Sequence, residues 1–187
     1  MAWTVFILAT AAWTRPKTPH ALAGYFAGHW TIAKQMSYVR GGKEASFSGT
    51  ARFESLDTSQ CLNRVSYADE CLWYLEDGTI TLAQEQQQLA ASRKLIYHFH
   101  PDRVRVYFDE ARTNDPKEVL LSQRFFHDIE LPEEEDSSSQ PSFSHPCGPD
   151  MYRGRLELCD ADSFILHWKV EGPRKLGMQT LLYRRCE

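Results

Sequence analysis

Gly28-His29-Trp30-Thr31-Ile32-Ala33-Lys34-Gln35-Met36-Ser37-Tyr38 decides the fold. Trp30, Ile32, Met36 and Tyr38 recur at period two, so they share one face of an extended strand. Gly41-Gly42 supplies a turn. Ser46 to Glu54 returns with Phe47, Gly49, Ala51 and Phe53 on one side and Ser48, Thr50 and Arg52 on the other. Small residues on the inner side point to a bend or a close approach of backbones. The alternation continues through Leu62–Tyr74, a hairpin turn at Asp77-Gly78 and a return over Thr79–Leu82. Leu89–His100 follows, turned by Pro101-Asp102, and Arg103–Asp109 places Val104, Val106 and Phe108 on one side. Leu120–Leu131 places Phe125, His127, Ile129 and Leu131 on one face. Met151–Cys159, Phe164–Glu171 and Met178–Arg185 close the series, with turns at Asp160–Ser163 and Gly172-Pro173. Gln84–Gln88 reads equally as strand edge or loop. Helical signal is short, at Pro19–Phe26, because Pro16 and Pro19 end whatever precedes them.

A chain of 187 residues is long enough to bury one real core. Its 42% hydrophobic and 25% charged residues are those of a globular domain. A net charge of -4 argues against a nucleic-acid-binding scaffold, which would be basic. No apolar run reaches the roughly 18 residues that a membrane-spanning helix needs. Residues 1–21 read as an N-terminal extension and 22–187 as one domain. The run Glu133-Glu134-Glu135-Asp136 passes into Ser137-Ser138-Ser139, so 132–144 reads as a solvated acidic and serine-rich loop insertion. Trp3–Trp13 is apolar, and Ala9-Thr10-Ala11 has the form of a cleavage site, but no positive charge precedes Arg15. A packed N-terminal segment and a cytoplasmic protein are the expectation; the segment leaves organelle targeting and secretion open. The five cysteines form no C-x-x-C and are odd in number, which fits reduced, intracellular thiols.

About ten short strands with little helix make an all-β, single antiparallel barrel or sandwich. Gly28-x-Trp30 in the first strand and an arginine, Arg184 or Arg185, in the last resemble the calycin superfamily, to which lipocalins and fatty-acid-binding proteins belong. In a closed barrel the first and last strands pair, so such an arginine can stack on the tryptophan; Arg184 is the expected partner of Trp30 in barrel closure. Phe47-Ser48-Gly49-Thr50-Ala51-Arg52-Phe53, Arg124–His127, His145–Asp150 with Tyr152-Arg153-Gly154, Trp168–Lys175 and Tyr183-Arg184 occur in this order. Together they are similar to the family catalogued as domain of unknown function 6314, over about Leu22 to Arg185. The resemblance implies a calycin-like barrel of about ten strands and assigns no activity. The N-terminal extension and the acidic loop depart from the family's compact pattern.

Small barrels either fill with side chains or hold one small ligand. The chain therefore reads first as a non-enzymatic binding protein for a small apolar or anionic molecule, lined by Trp30, Phe47, Tyr97, Phe125 and Trp168. Arg52, Arg153, Arg174 and Lys175 would make a cationic rim if the turns near 148 and 173 share one mouth. His127, His145, Asp150, Tyr152 and Trp168 complete the candidate ligand-binding set. An enzyme using His127, His145, Asp150 or Tyr152 as acid or base is the alternative. His145 and Cys147, two apart in an extended segment, point the same way, which permits but does not require a nucleophile. A haem-binding barrel would rest on His127 or His167, and a filled barrel would be a protein-interaction module. Metal binding needs three or four convergent ligands; His98 and His100 share a face while His127, His145 and His167 lie on other strands, so no metal set and no cofactor are assigned.

Overall fold

In the computed structural model, which describes residues 13–39, 43–56, 70–84, 87–115, 122–132 and 140–186, the alternating segments become one closed antiparallel barrel. A helix, α1 (Pro19–Phe26), precedes ten strands. These are β1 (Gly28–Tyr38), β2 (Lys43–Ser55), β3 (Glu70–Leu82), β4 (Gln87–Phe99), β5 (Val104–Asp109), β6 (Gln123–Glu130), β7 (Ser142–Cys147), β8 (Asp150–Leu158), β9 (Ser163–Glu171) and β10 (Leu176–Arg185). Each strand pairs with its neighbours in sequence, and β1 pairs with β10 from Trp30–Arg185 to Tyr38–Gly177, which closes the sheet. The Gly41-Gly42 turn, Val65, Tyr67, the Glu133–Asp136 run and Trp3–Ala11 lie outside the described residues.

Three local differences from the sequence reading have physical causes. Asp77-Gly78 is not a turn: it lies inside β3, facing Thr50 and Gly49 of β2. A Cβ on Gly49 would stand 2.2 Å from the Asp77 carbonyl oxygen, and one on Gly78 would stand 2.6 Å from the Phe47 ring. The two glycines thus let adjacent strands press together, which is a second use of glycine that resembles a turn in sequence. Ser142–Cys147, whose first three residues belong to the stretch expected as loop, forms β7. Finally, the β5–β6 register shifts between Val106, which faces His127, and Tyr107, which faces Phe125. Phe126 is the extra residue of a bulge. The bulge turns Phe125 outward, where it is 53% exposed, and places Phe126 against Phe108 inside, with ring centroids 4.3 Å apart.

The lower end of the barrel is plugged by α1. Thr18 caps the helix by accepting from the Ala21 amide at 3.2 Å, and Leu22, Ala23, Tyr25 and Phe26 are buried. Phe26 stacks on Phe53 at 5.2 Å, and the Trp30 indole donates to the Phe26 carbonyl at 2.8 Å. Arg185 lies 4.2 Å over the Trp30 ring and donates to the carbonyls of Tyr25 (2.7 Å) and Ala27 (3.0 Å). These carbonyls belong to the last turn and cap of the helix, where acceptors have no helical partner. Arg185, not Arg184, makes the closure. Strand parity sets Arg185 opposite Trp30, and Arg184 points out and is exposed. Replacing Arg185 by Leu leaves two carbonyls without their donor and is expected to cost about 2–3 kcal/mol. Arg184→Ala should change stability by no more than about 0.5 kcal/mol. Urea unfolding followed by tryptophan fluorescence checks both values.

Candidate functional site

Aromatic side chains fill the lower half of the barrel. Trp30, Phe53, Tyr74, Phe99, Phe164 and Tyr183 are all buried, and Phe164 stacks on Tyr183 at 4.2 Å. Above them the core turns polar. The Lys34 ammonium meets Glu76 at 2.5 Å and sits 4.4 Å over the Phe47 ring. Tyr74 donates to the other Glu76 oxygen, and its hydroxyl lies 3.0 Å from that of Tyr183. Burial pulls the Lys34 ammonium down to about 8, with Glu76 opposing the shift. This buried cation is held because a carboxylate and a ring face replace part of its water, and Tyr74 satisfies the carboxylate's other oxygen.

At the upper end, opposite α1, the barrel opens into a cavity of about 280 Å³. Phe108, Phe126 and Trp168 form apolar walls, and Tyr38, Arg93, His145, Cys147, Tyr152 and Gln179 supply polar groups. Among the described residues lining it there is no carboxylate. Below lies a space of about 30 Å³, about one water's share of liquid volume, between His127, Tyr74, Tyr97 and Tyr183. Arg93, Phe126 and Trp168 line both spaces.

Hydrogen bonds around the mouth orient its donors. Gln179 donates to the Tyr38 hydroxyl at 2.6 Å, and Lys175 donates to the Tyr152 hydroxyl at 2.8 Å. Each phenol thus accepts one bond and keeps its own O–H proton. Burial pushes the Tyr38 phenol up, so it stays protonated at neutral pH. His145 Nδ1 lies 2.8 Å from the Phe126 carbonyl. A carbonyl only accepts, so this nitrogen carries the proton.

The turns near 148 and 173 do share this mouth, but the expected cationic rim does not form. Arg153 points outward and pairs with Glu171 at 3.3 Å, and Arg52 pairs with Glu54 at 2.8 Å on the outer face of β2. Arg174 is exposed on the β9–β10 turn. Asp150 is buried and structural: its Oδ1 accepts from the amides of Arg174 (3.0 Å) and Lys175 (3.2 Å), tying the two turns together. Only Lys175, through Tyr152, reaches the cavity. Trp168, His145 and Tyr152 do line it. His127 is buried beneath, with its ring 4.9 Å from Phe143. His167 faces outward beside Glu157 at 3.3 Å. Of the expected lining aromatics, Phe47 packs over Lys34, Trp30 and Tyr97 belong to the lower core, and Phe125 is outside.

Sequence reasoning passed over Lys34, Glu76 and Arg93, yet each carried a signal. Lys34 interrupts the apolar face of Trp30, Ile32 and Met36. Glu76 follows Leu72 and Tyr74, and Arg93 precedes Leu95, Tyr97 and Phe99, in each case at period two. A charge in register with a buried face is the mark of a polar group inside the barrel, as for Lys34 and Glu76, or at its mouth, as for the exposed Arg93. Phe126 carried no such mark, because nothing local announces the bulge. Among the described residues, no three His, Cys, Asp or Glu side chains gather as a metal site, and no helix is long and apolar enough to cross a membrane. Cys147, Cys159 and Cys186 are free thiols.

The chain belongs to the family of unknown function DUF6314, whose sequence profile matches residues 26–185. No curated protein matches it in sequence. Among solved structures it is similar to the S-type phycobiliprotein lyase CPES from Guillardia theta, with a TM-score of 0.62 and 6% identity over 91% of this chain and 93% of that one. At that identity the likeness is one of fold alone. A redesigned β-barrel gives a TM-score of 0.37 at 17% identity, covering 88% of this chain and 95% of its own. A de novo fluorescence-activating β-barrel gives 0.34 at 13% identity, covering 88% and 96%.

His127 gives this interior a pH dependence. Burial pushes its imidazole down from 6.5 to about 4. Between those values the unfolded chain binds the proton more readily, so the folded state loses stability as pH falls through that window. The loss is about 3 kcal/mol when complete. His127→Phe should remove this share of the slope in urea unfolding between pH 7 and pH 4, roughly the window set by that shift. His98 on β4, also pushed down to about 4 by burial, keeps its own share.

Proposed function

We propose that this member of the DUF6314 family binds a small, largely apolar or aromatic molecule with an anionic end, held in the mouth cavity. The observation that carries the reading is the cavity of about 280 Å³ walled by Phe108, Phe126 and Trp168, with Arg93 as a permanent cation in its lining. Its size lies just below the roughly 300–1,000 Å³ typical of ligand pockets, which suits a one- or two-ring molecule. The polar lining favours an anion. Arg93 and the Tyr38 and Tyr152 hydroxyls are donors, and no described lining residue is acidic. An entering ring would cover Trp168 and Phe126 while its carboxylate, sulfonate or phosphate met the guanidinium.

This arrangement offers less to an acid–base enzyme. His145 gives its Nδ1 proton to a backbone carbonyl, and Asp150 is committed to the turn amides, so the two form no pair. A haem reading also finds less support, since His167 faces outward and His127 borders a space of only about 30 Å³.

A fluorescence titration with anilinonaphthalene sulfonate, an aromatic anion, tests the proposal. The wild-type protein should bind the dye at the mouth, and Arg93→Gln should weaken binding roughly tenfold or more while leaving the melting temperature within a few degrees. Phe125→Ala, on the outer face, should bind as wild type does. A wild-type protein that leaves the dye unbound, or an Arg93→Gln protein that binds it equally well, would remove the site. Native mass spectrometry of the protein as purified would show any ligand it retains.

A further inference from the structure

Among the described residues, β6 and β7 share the shortest ladder of the barrel. They pair at only two positions, Ile129–Phe143 and Glu130–Ser142. Continued upward, this register would set Phe126 against Pro146, which has no N–H to donate. Phe126 is also the bulged residue, where a ladder is locally broken. The donor that the strand lacks comes from a side chain: His145 Nδ1 gives its proton to the Phe126 carbonyl at 2.8 Å. That bond crosses the seam above the last backbone pair. It also holds a residue that matters to the cavity. The Phe126 ring stands 4.3 Å from Phe108 and stacks on Trp168 at 5.9 Å, and Phe126, Trp168 and Arg93 line both the mouth cavity and the inner space.

We infer that His145 is a latch that sets how long a ligand the barrel accepts. With the latch closed, Phe126 stands as a partition and a ligand is confined to the mouth. With it open, the upper parts of β6 and β7 separate, Phe126 withdraws from Trp168, and the two spaces join into one deeper channel toward Tyr74 and Tyr183. A molecule with an anionic head at Arg93 and an extended apolar tail then fits. The tail takes up the surface that Phe126 leaves on Trp168, Phe143 and Leu181. His145 acts here as a positioning residue, through Phe126, and the inference rests on the binding reading above for its ligand. Protonation of His145 does not undo the latch, because Nδ1 carries a proton in both forms.

The test uses three variants. In His145→Asn the amide nitrogen takes the place of Nδ1; in His145→Gln it lies one bond too far; His145→Ala has no donor. Hydrogen exchange of the ligand-free protein should quicken roughly tenfold in segments 123–128 and 143–147 for Ala and Gln, with the β3–β4 ladder unchanged, and stay near wild type for Asn. Binding of octanoate, dodecanoate and hexadecanoate should shift toward the longer chains in Ala and Gln, by roughly tenfold in the ratio of hexadecanoate to octanoate affinity, and keep the wild-type order in Asn. Unchanged exchange in His145→Ala, or an Asn variant as fast as Ala, overturns the latch. The expected exchange pattern with an unaltered chain-length order overturns its role in ligand choice. The expected exchange pattern with no carboxylate bound by any form supports the latch and overturns the binding reading instead.

Discussion

A meander of strands becomes a barrel only when its first and last members meet, and here one guanidinium secures that meeting. Arg185 covers Trp30 and gives its protons to the two helix-end carbonyls of Tyr25 and Ala27. The same side chain therefore braces both the end of the closing ladder and the docked helix. Once α1 is fixed, Phe26 seals the lower end against Phe53, Tyr97 and Phe164. That leaves the opposite end as the place where the barrel can admit anything. The position of the cavity thus follows from a contact at the far end of the molecule.

Between plug and mouth, the interior grades from aromatic to charged to open. Lys34 and Glu76 are both almost fully buried, an arrangement whose desolvation cost is offset only where every polar atom has a partner. Tyr74 gives Glu76 its second partner and is itself bonded by Tyr183, and Phe47 covers the ammonium. Arg93, set opposite Glu76 in the β3–β4 ladder, continues the row to the edge of the cavity. Two cations flank one carboxylate, so the row has a surplus of positive charge at its solvent end. An anion at the mouth would complete it.

The sequence and the structure agree wherever alternation alone decides the matter. β1, β2, β9 and β10 fall where their apolar period places them, and Trp30 is on the inner face as that period requires. The differences arise where a second constraint competes with alternation. Asp77-Gly78 has the composition of a turn, but the residue is glycine because Phe47, Ser48 and Gly49 of the neighbouring strand β2 leave no room for a Cβ. At Phe125-Phe126 a single inserted residue exchanged inside for outside, and no local composition marks such an insertion. The cationic rim failed for a different reason. Period two places Arg52 and Arg153 on the outer face, where Glu54 and Glu171 stand two residues away or one strand over. Arg93 and Lys34 were legible by the same rule, as charges among inward-facing hydrophobic residues.

The closing contact also orders events in time. The hydrogen bond from Arg185 to the Ala27 carbonyl spans 158 residues, whereas every other strand pair joins neighbours in sequence. Hairpins such as β3–β4 and β8–β9 can form from local chain alone, but the β1–β10 ladder needs all intervening strands in place, and such distant pairings are slow to nucleate. Until it forms, the meander has two open edges and Trp30 has no cover. An unfinished sheet with a bare edge invites pairing with another copy. The last strand to join thus governs how long a newly made chain remains vulnerable to aggregation.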